Sequence, residues 1–225
     1  MKKLTLFLIV IFALAASANA DTWALPQEQT VCSENDKFCI KIVPKKLESQ
    51  LSYFKDKVDG RNDAGADKKI EENYCKGVFY ARDAGGRLHE KWKIKLVNEV
   101  SPVTILVSND GDYVVTFDNW HGVGYGEEVV VIYDASKGDL IRKMGLSDFL
   151  TENDIASLPM SVSSIWWGGK HRIDDDNLVL KVTKSKQALD KNADYIDIRV
   201  ELKTGKILDE KRDRLEPRKL LTFPN

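Results

Sequence analysis

Apolar positions along this chain come in short runs that alternate with polar ones and break at Asn, Asp, Gly and Ser, the two-residue period of β-strands rather than the longer period of helices. Runs near 29–33, 37–43, 76–82, 88–96, 103–107, 112–118, 128–134, 139–144, 162–167, 177–183, 194–201 and 206–211 predict strands, and the fold class is all-β. The runs "EEVVVIYD" and "NLVLKV" are apolar on both faces, as strands held between two sheets must be.

The strands repeat. "VSNDGDYVV" matches "CSENDKFCI" without a gap, so that Val107 falls on Cys32, Ser108 on Ser33, Tyr113 on Phe38 and Val114 on Cys39, with Asp110-Gly111 at the turn. A second hairpin recurs as "YARDAGGRLHEKW", "YDASKGDLIRKM" and "VELKTGKILDEK", its turn glycine at Gly85 or Gly86, then Gly138, then Gly205. Grouped by these hairpins, the strands form three antiparallel four-stranded units spanning about 29–97, 103–144 and 162–211 of one domain, residues 21–225.

The middle unit resembles a β-propeller blade of the WD-repeat or related periplasmic type, over roughly residues 103–144. The matching residues are Ser108, Asp110 and Gly111 in the first hairpin, then Tyr133, Asp134 and Gly138. Tyr133 stands where the WD signature has tryptophan, and the Gly-His pair of that signature is missing. The resemblance implies blade-like repeats, and three repeats leave three arrangements open: an unusually small ring, a homodimer that completes one, or a sandwich of stacked sheets.

Three segments interrupt the β pattern. Residues 44–73 open with Pro44 and place Leu47, Leu51, Phe54 and Val58 at helical spacing, which predicts a short amphipathic helix followed by a charged, glycine-rich loop. Residues 145–159 predict short helical connections capped by Ser147 and Thr151 and stopped at Pro159. The long connections, 44–73, 118–128, 145–161 and 184–193, all leave the same edge of their units, because successive turns of an antiparallel sheet alternate between edges. One face is therefore expected to be elaborate, the other built of tight hairpins, with function on the elaborate side.

"MKKLTLFLIVIFALAASANA" has the form of a secretory signal peptide: Lys2 and Lys3, an apolar run from Leu4 to Ala16, then Ala18-Asn19-Ala20. Its removal would leave 225 − 20 = 205 residues in a periplasmic or secreted protein with no membrane anchor, and would move the net charge from −1 to −3. So small a charge gives no general attraction to nucleic acid or to an anionic membrane surface.

Export suits the cysteines. A turn at Asn35-Asp36 pairs Glu34 with Lys37, Ser33 with Phe38 and Cys32 with Cys39, which predicts a cross-strand disulfide and leaves Cys75 as a buried strand thiol.

Between two of the strands lies "DNWHGVGYGEE". Asp118, Trp120, His121, Tyr125 and Glu127, with Glu128, form the candidate ligand-binding set, while Gly122, Gly124 and Gly126 equally suit a purely structural wide loop. In "SSIWWGGKHRIDDDN", Trp166 and Trp167 are expected on opposite faces of a strand, and Asp174, Asp175 and Asp176 in a solvated turn without calcium-loop spacing. No metal or cofactor motif, nucleophile elbow or phosphate loop is present, and no residue is assigned a catalytic role. The expected function is a non-catalytic binding or assembly module of the envelope, acting on a protein or glycan. The alternative is a hydrolase or lyase on an envelope or extracellular polymer, using His121 with nearby carboxylates.

Overall fold

The computed structural model describes residues 24–183 and 195–208. The signal-like residues 1–20, the connection 184–193 and the end of the expected last strand, 209–211, lie outside the described residues.

Eleven strands form three antiparallel sheets among the described residues. The first sheet holds β1 (Gln29–Cys32), β2 (Phe38–Val43), β3 (Lys76–Arg82) and β4 (Leu88–Lys95), in that spatial order. The middle sheet holds β5 (Pro102–Val107), β6 (Tyr113–Asn119), β7 (Val130–Asp134) and β8 (Asp139–Met144), again in chain order. The third holds β9 (Arg172–Asp174), β10 (Asn177–Thr183) and β11 (Tyr195–Glu201).

The middle sheet is covered on both faces, and the alternation of its side chains shows how. Val114, Val131 and Tyr133 point into a core shared with Ile40, Ile42, Phe79 and Leu96 of the first unit. Their neighbours Val115, Phe117, Val130 and Ile132 point the other way, into a core with Leu178, Leu180, Ile198 and Val200 of the third. Buried Val, Val, Ile and Tyr at successive positions 130–133 of β7 are what a strand between two sheets requires. Among the described residues the result is a stack of sheets, sandwich-like, with no closed ring.

The hairpin repeat is reproduced atom by atom. Ser33 Oγ accepts from Phe38 N and donates to Asn35 Oδ1, and Ser108 Oγ accepts from Tyr113 N and donates to Asp110 Oδ1. In each turn the fourth residue is left-handed, Asp36 at φ 59° and Gly111 at φ 80°. The expected register holds, with Cys32 opposite Cys39 and Val107 opposite Val114. The turn is longer than the expected two residues, since Ser33 N–Phe38 O closes a four-residue connection. Cys32 and Cys39 form the disulfide, with Cα atoms 3.9 Å apart. Cys75 is buried, and burial pushes its thiol up to about 12.

The units also touch in a repeated way. Gly138 abuts Trp92 and Ile94 of the first unit, and the corresponding Gly205 abuts Arg142 of the second. Arg142 Nη1 donates to Gly205 O at 2.8 Å, and Trp92 Nε1 donates to Ala135 O at 2.7 Å.

Three expectations are corrected. The third unit does not begin at 162–167: its first strand is Arg172–Asp174, and among the described residues its sheet has three strands, Ile207 contributing an isolated bridge to Val200. The apolar 162–167 run instead forms a loop, tied by a Val123–Ser164 bridge and burying Trp167. The helix following Pro44, α1 (Gln50–Val58), is capped by Ser49 and turns Tyr53 inward, so Leu51 and Val58 lie on its solvent face rather than in the core. Thr151 caps the next helix, α2 (Glu152–Ser157), as expected, whereas Ser147 lies inside a 3-10 turn, Leu146–Asp148, that begins after Gly145.

Candidate binding surface

All three connections between first and second strands are tight turns, at 33–37, 108–112 and 175–176, and two of them meet: Asn35 Nδ2 donates to Asn109 O at 2.7 Å. The described long connections gather on the opposite edge. Asn98 Nδ2 donates to Asp118 O at 3.0 Å, Glu99 N to Asn119 Oδ1 at 3.1 Å, and Trp120 N to Ser101 O at 2.8 Å. The 120–126 loop is thereby fixed between α1 on one side and the 159–165 segment on the other.

Trp120 is a support, not a contact surface. It is 6% exposed, its indole donates to Ala24 O at 2.9 Å, and it packs edge-on against Tyr53 with ring centres 5.4 Å apart. His121 lies above it, half-buried, its ring centre 4.0 Å from that of Phe54. Burial in this aromatic setting lowers the pKa of His121, partly offset by a hydrogen bond to its own backbone. The imidazole is therefore neutral at physiological pH. Tyr125 is exposed and donates its hydroxyl to Ser161 O at 3.1 Å, stapling the loop to the 159–165 segment.

The loop's carboxylates are committed elsewhere. Asp118 sits at φ 57°, a backbone conformation uncommon for a side-chain-bearing residue, which aims its carboxylate inward. There Oδ1 accepts from Gly124 N at 2.7 Å and from Trp167 Nε1 at 3.1 Å. Burial raises the Asp118 carboxyl to about 6, and the two hydrogen bonds partly oppose that rise. Gly124, at φ 73°, has no room for a side chain, because a Cβ there would lie 2.7 Å from Ile165 O. Glu127 reaches outward to Lys143 Nζ at 2.6 Å, and Glu128 approaches the same ammonium at 3.8 Å.

Of the residues expected to form a site, His121 and Tyr125 therefore face outward together, Trp120 and Asp118 lie beneath them, and Glu127 turns away. Sequence reasoning missed the frame around them. Leu51 and Val58 on α1 are 78% and 89% exposed, and Met160 and Val162 stand out from the segment that Tyr125 holds. Exposed aliphatic side chains thus flank the loop on both sides. Their signal is the helical spacing of Leu51 and Val58, which predicts an apolar helix face without saying what covers it.

Among the described residues, the one group of side chains with metal-ligand spacing is Cys32, Asp36 and Cys39. Its two sulfurs are bonded to each other. The half-buried His171 is stacked, 4.6 Å from Phe117 and 4.5 Å from Trp167 between ring centres, and its Nδ1 accepts from Lys181 N at 3.1 Å. Asp175 and Asp176 form the expected exposed turn, while Asp174, also exposed, ends β9. No protein-family model matches the chain, and no curated protein matches it in sequence.

Proposed function

We propose that this is an exported, non-catalytic binding or assembly module whose partner surface is the elaborate edge, centred on His121 and Tyr125, and whose partner is a protein. The observation that carries the reading is the set of outward aliphatic side chains around that loop, Leu51, Val58, Met160 and Val162. Exposed apolar groups collected about a loop held by hydrogen bonds and aromatic packing are characteristic of protein contact sites. Export is supported by the signal-like N-terminus and by a disulfide, which persists in oxidising compartments. The blade-like repeat is part of the same reading, since repeat arrays present their longer loops together on one face.

The hydrolase or lyase alternative requires His121 to work with a neighbouring carboxylate. Asp118 is spent on Gly124 and Trp167, and Glu127 on Lys143, which weighs against it.

The test is capture from an envelope extract by the mature protein and by a variant carrying Leu51→Ser, Val58→Ser, His121→Ala and Tyr125→Ala. A protein retained by the first and lost by the second, with both folded by circular dichroism, bears the proposal out. Equal retention by both would place the partner surface elsewhere.

A further inference from the structure

We propose that the cleft lined by Lys45, Arg61, Asp63, Tyr74 and Lys95 binds a small doubly charged oxyanion of the phosphate-monoester class through Lys45 and Lys95. The starting observation is Lys45, whose side chain is 3% exposed. Its one ion pair among the described residues is with Asp63 Oδ1 at 3.9 Å, beyond hydrogen-bonding distance, and Asp63 itself is 88% exposed. Taking an ammonium out of water is unfavourable unless its donors are satisfied by an anion held close.

The cleft that Lys45 lines has a volume of about 400 Å³, within the roughly 300–1,000 Å³ typical of small-molecule sites. Its walls carry four cations, Lys45, Lys57, Arg61 and Lys95, against two carboxylates, Asp63 and Glu99. Two of the cations are already engaged: Lys57 with Glu99 at 2.6 Å, and Arg61 with Asp56 at 3.3 Å and Asp59 at 3.5 Å. Lys95 lies over the Tyr74 ring, 5.5 Å from its centre, and forms no ion pair among the described residues. Lys45 and Lys95 are thus two ammonium groups of the cleft with no carboxylate at hydrogen-bonding distance among the described residues, which suits the two negative charges of a phosphate monoester.

A second cleft of about 580 Å³ shares Arg61, Asp63, Tyr74 and Lys95 with the first. It adds three carboxylates, Asp56, Asp67 and Glu71, against one further cation, Lys68, a balance that disfavours a second anionic group. The combined space therefore suits one anionic head with an uncharged organic body. This inference does not depend on the His121–Tyr125 surface and stands or falls separately.

The experiment is calorimetric titration of the mature protein with phenyl phosphate, inorganic phosphate, benzoate and phenol. Saturable binding of phenyl phosphate is expected, with an affinity reduced about tenfold or more in Lys45→Met, the scale of one lost charge-assisted hydrogen bond. A smaller loss is expected in Lys95→Met. Inorganic phosphate binding more weakly than the ester assigns the organic part to the second cleft, and equal affinities assign the site to the free anion. Absence of saturable binding by either phosphate overturns the proposal, as does benzoate or phenol binding as tightly as phenyl phosphate. Because Lys95 is exposed, Lys95→Met also serves if the Lys45 variant does not fold, and unchanged affinity in it overturns the assignment.

Discussion

Trp167 donates its indole N–H to Asp118 Oδ1 at 3.1 Å across 49 residues of sequence, joining the end of β6 to the loop that leads into the third sheet. Gly124 N shares the same oxygen at 2.7 Å. Asp118→Ala would leave two buried donors without an acceptor, and a loss of roughly 2–4 kcal/mol in unfolding free energy is expected by denaturant titration. Asp118→Asn keeps an acceptor oxygen and should fall well short of that loss at neutral pH.

The same neighbourhood sets a pH dependence of two opposed parts. Asp118 has a folded pKa of about 6, above its unfolded value, so its contribution is fully present below about pH 4 and lost as pH rises through 6. His171 is depressed to about 4 by burial, so its contribution is present above about pH 6.5 and lost as pH falls through 4. Each spans on the order of 2–3 kcal/mol, and between pH 4 and 6 they oppose each other. Melting temperatures across this range should rise with pH in Asp118→Asn, where only the histidine contribution remains. In His171→Phe, which keeps a ring in the stack, they should fall with pH. Parallel profiles for the two variants would refute this.

Trp120 and its neighbours should separate by role. Trp120→Ala removes an indole buried against Tyr53 and Phe54, and a loss of about 3–5 kcal/mol is expected. His121→Ala and Tyr125→Ala should each change stability by about 1 kcal/mol or less while reducing partner capture. Thermal melts set beside capture from extract decide the point.

Gly111→Ala tests the contact between the first two units. Gly111 is left-handed at φ 80°, and a Cβ there would lie 2.4 Å from the Phe38 ring. Backbone strain alone costs roughly 1–2 kcal/mol, and the collision with a packed ring adds to it. Gly86→Ala, with a comparable φ of 83° and nothing within 4 Å, should show the strain alone. The difference between their denaturation midpoints therefore measures the contact.

Non-reduced peptide mapping should recover Cys32 joined to Cys39 and Cys75 as a thiol, and reduction should lower stability by about 2 kcal/mol, the small effect of a short closed loop. A bridge to Cys75 would contradict the β1–β2 register.

The first two sheets were legible because their hairpins repeat in both apolar spacing and turn chemistry: Ser33 and Ser108, or Asp36 and Gly111, do the same local work in both units. The third was misread at its start because local pattern cannot tell why residues are apolar. "SSIWW" has strand composition, yet Trp167 is apolar in order to lie under the 120–126 loop. The strand that does pair, Arg172–Asp174, is short and charged. In α1 the helical period was visible, but which side faces inward is decided by the docking of Tyr53 and Phe54 against Trp120, sixty-odd residues away. The glycine-rich surroundings of Trp120 suit a ligand contact, and its role as a support follows only from its tertiary contacts with Tyr53, Phe54 and Ala24. The enclosure of Lys45 leaves no local trace at all, since a lysine after a strand ordinarily faces water.

A sheet covered on both faces has consequences for how the chain comes apart. The middle sheet supplies one wall of each of the two inter-sheet cores, so among the described residues neither outer sheet has another sheet to pack on without it. Nearest-neighbour coupling of this kind makes the centre the last part to open. Amide hydrogens of β6 and β7 should exchange with solvent only through global unfolding, while those of β4, at the outer edge of the first sheet, exchange through local fraying. A lesion in either outer sheet would then be felt in the exchange rates of the middle one, and the two ends of the stack would sense each other through a sheet they share without touching.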